Sequence, residues 1–296
     1  MSHSVPISSN LRSIVAMVVA VGFFSLMDGV MKALGTSYPP MQVAALRGLS
    51  ALPLVCAYVV ARGQTAALLQ IRWRLHLLRG VMSVAMLSLF AYALHALPLT
   101  EAYTLFFVAP LLITVLSIPV LKETVRPLHW IAIGLGFVGV LIAMRPDADS
   151  FLSLGALAVL GAAVLYAVSA ITARVLSRTD SSVNMVFWTT LLMAVGAGLL
   201  AWPQWVPIQA VHWPLIAALA ITGFLGGLAI VDAFHHGKAS VVAPFEYTAL
   251  AWGIGLDWAI WHTMPDLYTL LGGAIIIGSG IYLIRTEQVK ELAVAP

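Results

Sequence analysis

The chain has 296 residues, 61% of them hydrophobic and 9% charged, where a soluble domain carries about 45–50% apolar and about 25% charged residues. That composition leaves too few polar side chains to cover a water-facing surface, which excludes a soluble enzyme, a secreted domain and a disordered chain, and leaves lipid as the main solvent. A net charge of +3 argues against a nucleic-acid partner, and one cysteine, Cys56, excludes a disulfide framework or a cysteine-based metal cluster.

The first apolar run opens after Arg12 and continues for roughly 20 residues, which is spanning length rather than the short core of a signal peptide. It is expected to be the first span and not a cleaved leader. Further stretches of this kind, bounded by charge, Pro or Gly, give ten predicted helices at 12–34, 41–61, 75–95, 100–121, 128–144, 152–174, 183–201, 214–234, 239–261 and 267–284. Strand-like alternation is absent, so helices are the spanning option. The predicted fold is an all-α polytopic membrane protein with ten transmembrane helices, short connections and no room for a soluble domain.

Positive charge orients the spans. With both termini in the cytoplasm, the inner side holds Arg12, Arg62, Arg72, Arg74, Arg79, Lys122, Arg126, Arg174, Arg178, Lys238, Arg285 and Lys290. The outer side or outer helix ends hold Lys32, Arg47 and Arg145. Twelve against three is a strong positive-inside bias without a skipped loop. Trp202, Trp205 and Trp213 crowd the connection between spans seven and eight, with Pro203, Pro207 and Pro214 and no charge. They read as an interfacial aromatic belt that anchors the chain.

The sequence also repeats. Span one ends Val30-Met31-Lys32-Ala33-Leu34 and span six ends Thr172-Ala173-Arg174-Val175-Leu176; a shift of 142 residues superposes the basic positions and lays Phe24 on Tyr166. Spans five and ten carry glycines five apart, Gly134 with Gly139 and Gly273 with Gly278, and spans four and nine each hold a proline, Pro110 and Pro244. The expected halves are 1–148 and 149–296, with five helices each. An odd number inverts the second half in the membrane, the inverted-topology repeat of many secondary transporters, which bind solutes near mid-membrane between the halves.

Ten short-looped helices in a 5+5 arrangement resemble the EamA-type exporters of the drug/metabolite transporter superfamily over essentially the whole chain. Lys32, Arg47, the stretch Glu101-Ala102-Tyr103 through Pro110, Leu121-Lys122-Glu123 and the Gly134/Gly139 helix carry the resemblance. Family members often have tryptophan where Phe24 and Tyr166 stand. The second half has Trp261 near the place where Glu123 would map, so the two halves differ in role. Within the family the chain looks most like the aromatic amino-acid exporters. The resemblance implies export of small metabolites.

Ionisable groups inside the bilayer cost at least about 2.5–3.5 kcal/mol at mid-depth, so each needs a partner or water. Asp28 and Lys32, four apart on span one, read either as a self-neutralising pair or, for Lys32, as a gating or substrate-carboxylate contact. Arg47 enters span two from the outer side, for pairing with Asp28 or for a role at the mouth. Glu246 lies roughly 10 Å into span nine, beside Tyr247 and just after Pro244, where a missing backbone hydrogen bond opens a mid-membrane site. It reads as a substrate-ammonium contact or a proton carrier. Asp257, further along the same span, lines an outer vestibule or caps a polar patch. His95 and Glu101 flank the turn between spans three and four. Asp232, His235 and His236 have a spacing that permits metal chelation but sit beside Lys238 at a solvated boundary, so no metal site is expected.

The aromatics set the substrate. Tyr92, Tyr103, Phe106, Phe107, Tyr166, Trp188 and Tyr247 come from helices that would surround a central cavity, and such a lining suits apolar or aromatic solutes while its phenols bind polar groups. Ordinary packing and lipid contact account for a share of these seven. The glycines of spans five and ten read as close-packing surfaces. The chain has no phosphate-binding loop, no His-Glu-x-x-His run and no Gly-x-Ser-x-Gly elbow, so neither an enzyme nor a cofactor is expected. The reading that follows is a monomeric bacterial inner-membrane carrier exporting neutral or aromatic amino acids by alternating access, with Pro110 and Pro244 as bending points. The alternatives are a carrier for another metabolite or a drug-like cation, a channel, or an intramembrane enzyme.

Overall fold

The computed structural model describes residues 9–294 except 70, 97–98, 146–152 and 262–265, and omits the side chains of 9–10, 67, 91, 94–96, 99–101, 257, 260–261 and 287–294. Among the described residues there is no strand. The first half comprises α1 (Ser9–Leu34), α2 (Pro40–Ala61), α3 (Trp73–Ala96), α4 (Leu99–Phe106), α5 (Ala109–Leu121) and α6 (Pro127–Met144). The second comprises α7 (Leu154–Leu176), α8 (Ser182–Ala201), α9 (Trp213–His236), α10 (Ala239–Val242), α11 (Thr248–Trp261) and α12 (Leu267–Val294).

Local chemistry sets the helix ends. Pro40 and Pro127 open α2 and α6, where a missing N–H costs nothing. Ser153 and Ser181 cap α7 and α8 by accepting from Ala156 N and Asn184 N. Lys122 and Arg145 stop α5 and α6 in the left-handed conformation, with φ of 56° and 45°.

Eight helical stretches among the described residues are long and apolar enough to cross a membrane. Two of the ten predicted spans are not among them. The helix α3 carries Arg74, His76 and Arg79 in its first turns. The expected continuous span 239–261 is broken: α10 stops after four residues, a 3-10 stretch runs Ala243–Tyr247 around Pro244, and α11 has 14 residues. Proline removes one backbone donor and its ring clashes with the preceding turn, so the α-helix tightens and restarts. The predicted span 100–121 is interrupted too, between α4 and α5, at 107–108, two residues before Pro110.

The packing has a pseudo-twofold pattern. The most extensive contacts are α1 with α9, α2 with α8, α3 with α7 and α6 with α12. Matching α1 to α7, α2 to α8, α3 to α9 and α6 to α12 turns the first contact into the third and maps the other two onto themselves. Small residues permit the two self-related crossings. A Cβ on Gly48 would lie 2.7 Å from the backbone N of Ala194, and one on Gly272 would run into the carbonyl of Gly139. The largest buried cluster joins Ile14, Met17, Ile113, Ile171, Phe234 and Phe245 from both halves. The outer surface is apolar, with Val81, Leu135, Val138, Leu199, Ile277 and Ile281 exposed as lipid contact requires. Of the three loop tryptophans, Trp202 and Trp213 are exposed, whereas Trp205 packs against the cluster of Tyr38, Val43 and Leu46.

Candidate functional site

The helix break around Pro244 carries Glu246 into the candidate site. The 3-10 stretch after Pro244 buries Glu246 to 8% exposure, and Tyr166 of α7 donates its hydroxyl to Glu246 Oε1 at 3.1 Å. A buried carboxyl needs such partners, because unpaired polar groups in an apolar interior are costly. Tyr166 also lies within electrostatic reach of two guanidinium groups, Arg47 of α2 and Arg79 of α3. Arg47 sits over the Phe24 ring at 5.4 Å and interacts electrostatically with Asp28 of α1, a cation–π contact and a charge pair that together hold the side chain. Tyr103 of α4 is within reach of Asp28.

Aromatic rings close this polar group on one side. Tyr103 meets Phe90 at 5.6 Å, Phe90 meets Phe106 at 5.3 Å, and Phe106 meets Tyr166 at 5.6 Å. The first two contacts are edge-to-face, the favoured geometry for aromatic pairs. Tyr103, Phe106, Tyr166 and Arg47 are only partly buried and Asp28 is exposed. The group thus combines two carboxylates, two guanidinium groups and two phenols with an aromatic wall, drawn from α1, α2, α3, α4, α7 and the Ala243–Tyr247 turn. The chemistry of such a set is complementary to an amphoteric solute with an aromatic or apolar body.

The structure brings together Arg47, Tyr103, Phe106, Tyr166 and Glu246 of the expected site. Phe107 and Tyr247 are paired elsewhere: their rings meet at 5.9 Å in the cluster of Ile133, Val140 and Ile276, and a Cβ on Gly136 would run into the Tyr247 ring. Trp188 lies at the end of the bundle that carries Arg12, where its indole donates to Leu68 O at 3.1 Å and its ring lies beside His76. Tyr92 is 53% exposed and Lys32 is exposed near the end of α1. Pro110 and Pro244 adjoin the two helix breaks. The side chains of His95, Glu101 and Asp257 lie outside the described residues. Among the described residues no set of three His, Cys, Asp or Glu side chains could hold a metal ion; Asp232 is engaged by Arg12 at 2.8 Å and by His236 at 3.1 Å.

Sequence reasoning missed Arg79, Phe90 and the stacking role of Phe24. Arg79 falls inside the predicted span 75–95, yet it reads as a loop charge alongside Arg72 and Arg74. Its depth was the available signal: six residues past the start of α3 is about 9 Å of rise.

Hydrogen bonds across the halves tie both ends of the bundle. At one end Arg12 pairs with Asp232, Glu123 accepts from Ala239 N, Ser240 N and Ser240 Oγ, and His76 meets Asp180 at 2.8 Å. Burial would raise the Asp180 carboxyl, but hydrogen bonds from Thr179, His76 and the Arg72 N–H outweigh it and hold the group below the usual carboxylate value. At the other end the Tyr38 hydroxyl meets His212 Nδ1 at 2.8 Å and accepts from Gln209 N, Gln42 exchanges two hydrogen bonds with Val206, and Arg145 pairs with Asp266.

A multi-pass helical bundle of two like halves around a polar and aromatic group is the architecture of a membrane transporter. The EamA-like transporter family matches this chain twice, over residues 11–145 and 153–286, and the chain belongs to that family. A pseudopaline exporter of Pseudomonas aeruginosa is 28% identical over 94% of this chain and 98% of its own. A riboflavin transporter of Vibrio cholerae is 30% identical over 86% of this chain and 85% of its own. An S-adenosylmethionine uptake transporter of Rickettsia conorii is 26% identical over 88% of each. A solved crystal structure covering 95% of this chain and 98% of its own has a TM-score of 0.80 at 20% identity, a likeness of fold. None of these three named relatives is an aromatic amino-acid exporter, so the finer likeness drawn from the sequence finds no support among them.

Proposed function

We propose that the protein carries neutral or aromatic amino acids out of the cytoplasm through the space bordered by Asp28, Arg47, Arg79, Tyr103, Tyr166 and Glu246. The observation that supports this reading most is the Tyr166–Glu246 hydrogen bond beside two guanidinium groups and an aromatic wall. Opposite charges grouped together suit a zwitterion, and the rings of Phe90, Tyr103 and Phe106 suit an aromatic body. The chain crosses a bacterial inner membrane ten times, as halves 1–148 and 149–296 of five helices each, with both termini cytoplasmic; the distribution of Lys and Arg supports that orientation. It acts as a monomer, since the two repeats already supply two gates.

Transport proceeds by alternating access. The two halves rock about the space between them, so the ties at one end break while those at the other hold. Arg12–Asp232, Glu123–Ser240 and His76–Asp180 close the cytoplasmic mouth, and Tyr38–His212, Gln42–Val206 and Arg145–Asp266 close the outer one. The breaks beside Pro110 and Pro244 absorb the bending. Glu246 either takes the substrate ammonium or exchanges a proton.

A second reading is favoured by the relative at 30% identity, named a riboflavin transporter: the aromatic wall would then receive a planar ring system. Counterflow separates the two. Liposomes holding the purified protein are loaded with unlabelled phenylalanine, threonine, methionine or riboflavin, and entry of the labelled compound is followed. Transient accumulation of labelled phenylalanine above equilibrium is expected. Accumulation of riboflavin alone would favour the second reading, and accumulation of none, in folded protein, would remove both.

A further inference from the structure

Among the described residues, the charges near the site are matched with one exception. Arg47 is taken by Asp28 and by the Phe24 ring, and Glu246 accepts from Tyr166. Arg79 stands apart: its Nε and Nη1 atoms are buried and have no hydrogen-bond partner among the described residues. The polar side chains one turn away along its own helix make their hydrogen bonds to groups other than the guanidinium. Ser83 turns its hydroxyl back to donate to the Arg79 carbonyl at 2.9 Å, and His76, one turn earlier, is joined to Asp180. Tyr166 of the opposite half, itself bonded to Glu246, lies within electrostatic reach of Arg79.

A guanidinium keeps its charge in any protein environment and presents planar N–H donors in a fork that matches a carboxylate. Leaving two of those donors buried and unpaired is unfavourable, and the same donors become an advantage when an external anion supplies the acceptors. A lipid-facing role does not fit, because the donors are buried and because Tyr166 of α7, across the halves, is an electrostatic neighbour of Arg79.

We propose that Arg79 is the anchor for a substrate carboxylate, received through its unpaired Nε and Nη1 donors, with Glu246 and the Tyr103–Phe90–Phe106–Tyr166 rings taking the remainder of the molecule. The substrate class is therefore a small carboxylate-bearing metabolite with an apolar or aromatic body. This deepens the transport reading given above and rests on it for the location of the cavity.

Thermal stabilisation of the purified full-length protein in detergent tests the assignment without requiring transport. Phenylalanine, 3-phenylpropionate and phenylalaninamide are compared on the wild type, Arg79→Gln and Arg79→Lys. The two acids are expected to stabilise the wild type at concentrations where the amide does not. In Arg79→Gln the acids should need at least ~10-fold higher concentration, the loss appropriate to a charge-assisted hydrogen bond, while the amide response is unchanged. Arg79→Lys, which keeps the charge and loses the fork, should fall between them, and it decides the matter if Arg79→Gln does not yield monodisperse protein. Equal acid responses in wild type and variants, or no acid response in the wild type, would overturn the assignment. Counterflow of phenylalanine unchanged in Arg79→Gln would overturn it while leaving the transport reading intact. Absent counterflow with Arg79-dependent acid binding would do the reverse.

Discussion

Tyr166 donates a hydrogen bond to Glu246, and the same phenol lies within electrostatic reach of two guanidinium groups from the other half. Tyr166→Phe removes one donor and one polar contact at constant volume. It is expected to lower transport at least several-fold with little change in melting temperature, because a hydrogen bond to a carboxylate contributes about 1.5–3 kcal/mol. Glu246→Gln keeps the size and removes the ionisable group, so any dependence of transport on a pH gradient should vanish; a gradient dependence that persists would place the proton elsewhere. Asp180 gives a stability prediction. Its carboxyl is held below the ordinary value of 3.8, so its contribution is present above that pH and is lost as pH falls through the lower, folded value. Asp180→Ala should destabilise the protein by about 1–3 kcal/mol near neutral pH by leaving His76 buried without its partner. Thermal melting between pH 7 and pH 3 checks both, and the gap between wild type and variant should narrow at the acid end. Much of this chemistry was readable beforehand. Glu246 stood out because a carboxylate after a proline in an apolar run has few structural excuses. Arg79 did not, since two neighbouring arginines made it look like a boundary charge. Trp188 looked like cavity lining because its acceptor, Leu68 O, is 120 residues away, and no local pattern encodes that pairing.

At the level of elements, two helix breaks and two glycine crossings define the frame. Pro244 converts a would-be span into α10, a 3-10 turn and α11, and that turn carries Glu246 inward. Pro244→Ala should let the helix continue and rotate Glu246 away from Tyr166. Turnover is expected to fall more than folding stability, which counterflow rate and melting temperature separate. At the α6–α12 crossing, where a side chain on Gly272 would meet the Gly139 carbonyl, Gly272→Val should push the helices apart and destabilise by about 1–3 kcal/mol, seen as a lower melting temperature in detergent. The prolines and glycines that mark these places were legible in the sequence, because each type has few reasons to sit in an apolar helix. What stayed hidden was the consequence. Apolar length alone suggested one continuous span over 239–261, since hydropathy registers composition and is blind to a missing backbone donor.

For the molecule as a whole, the pairing of α1 with α9 and α3 with α7 relates the halves by a pseudo-twofold exchange, and hydrogen bonds tie them at both ends. Under the alternating access proposed above, one set of ties is released at a time. Joining Gln42→Cys to Val206→Cys with a short reducible cross-linker, in a Cys56→Ser background, should stop transport, and reduction should restore it; unaffected transport would show that this end does not open. The two-half organisation was legible from matched basic and glycine positions, and the family matches the chain once in each half. The substrate was not, because a cavity is made by side chains that distant helices bring together. The most direct measurement is counterflow of labelled phenylalanine in liposomes containing wild type, Tyr103→Ala or Tyr166→Ala, all shown to be folded. Transient accumulation in the wild type and its loss in both variants is the expected result. Equal accumulation in all three would contradict the placement of the transport site between the halves.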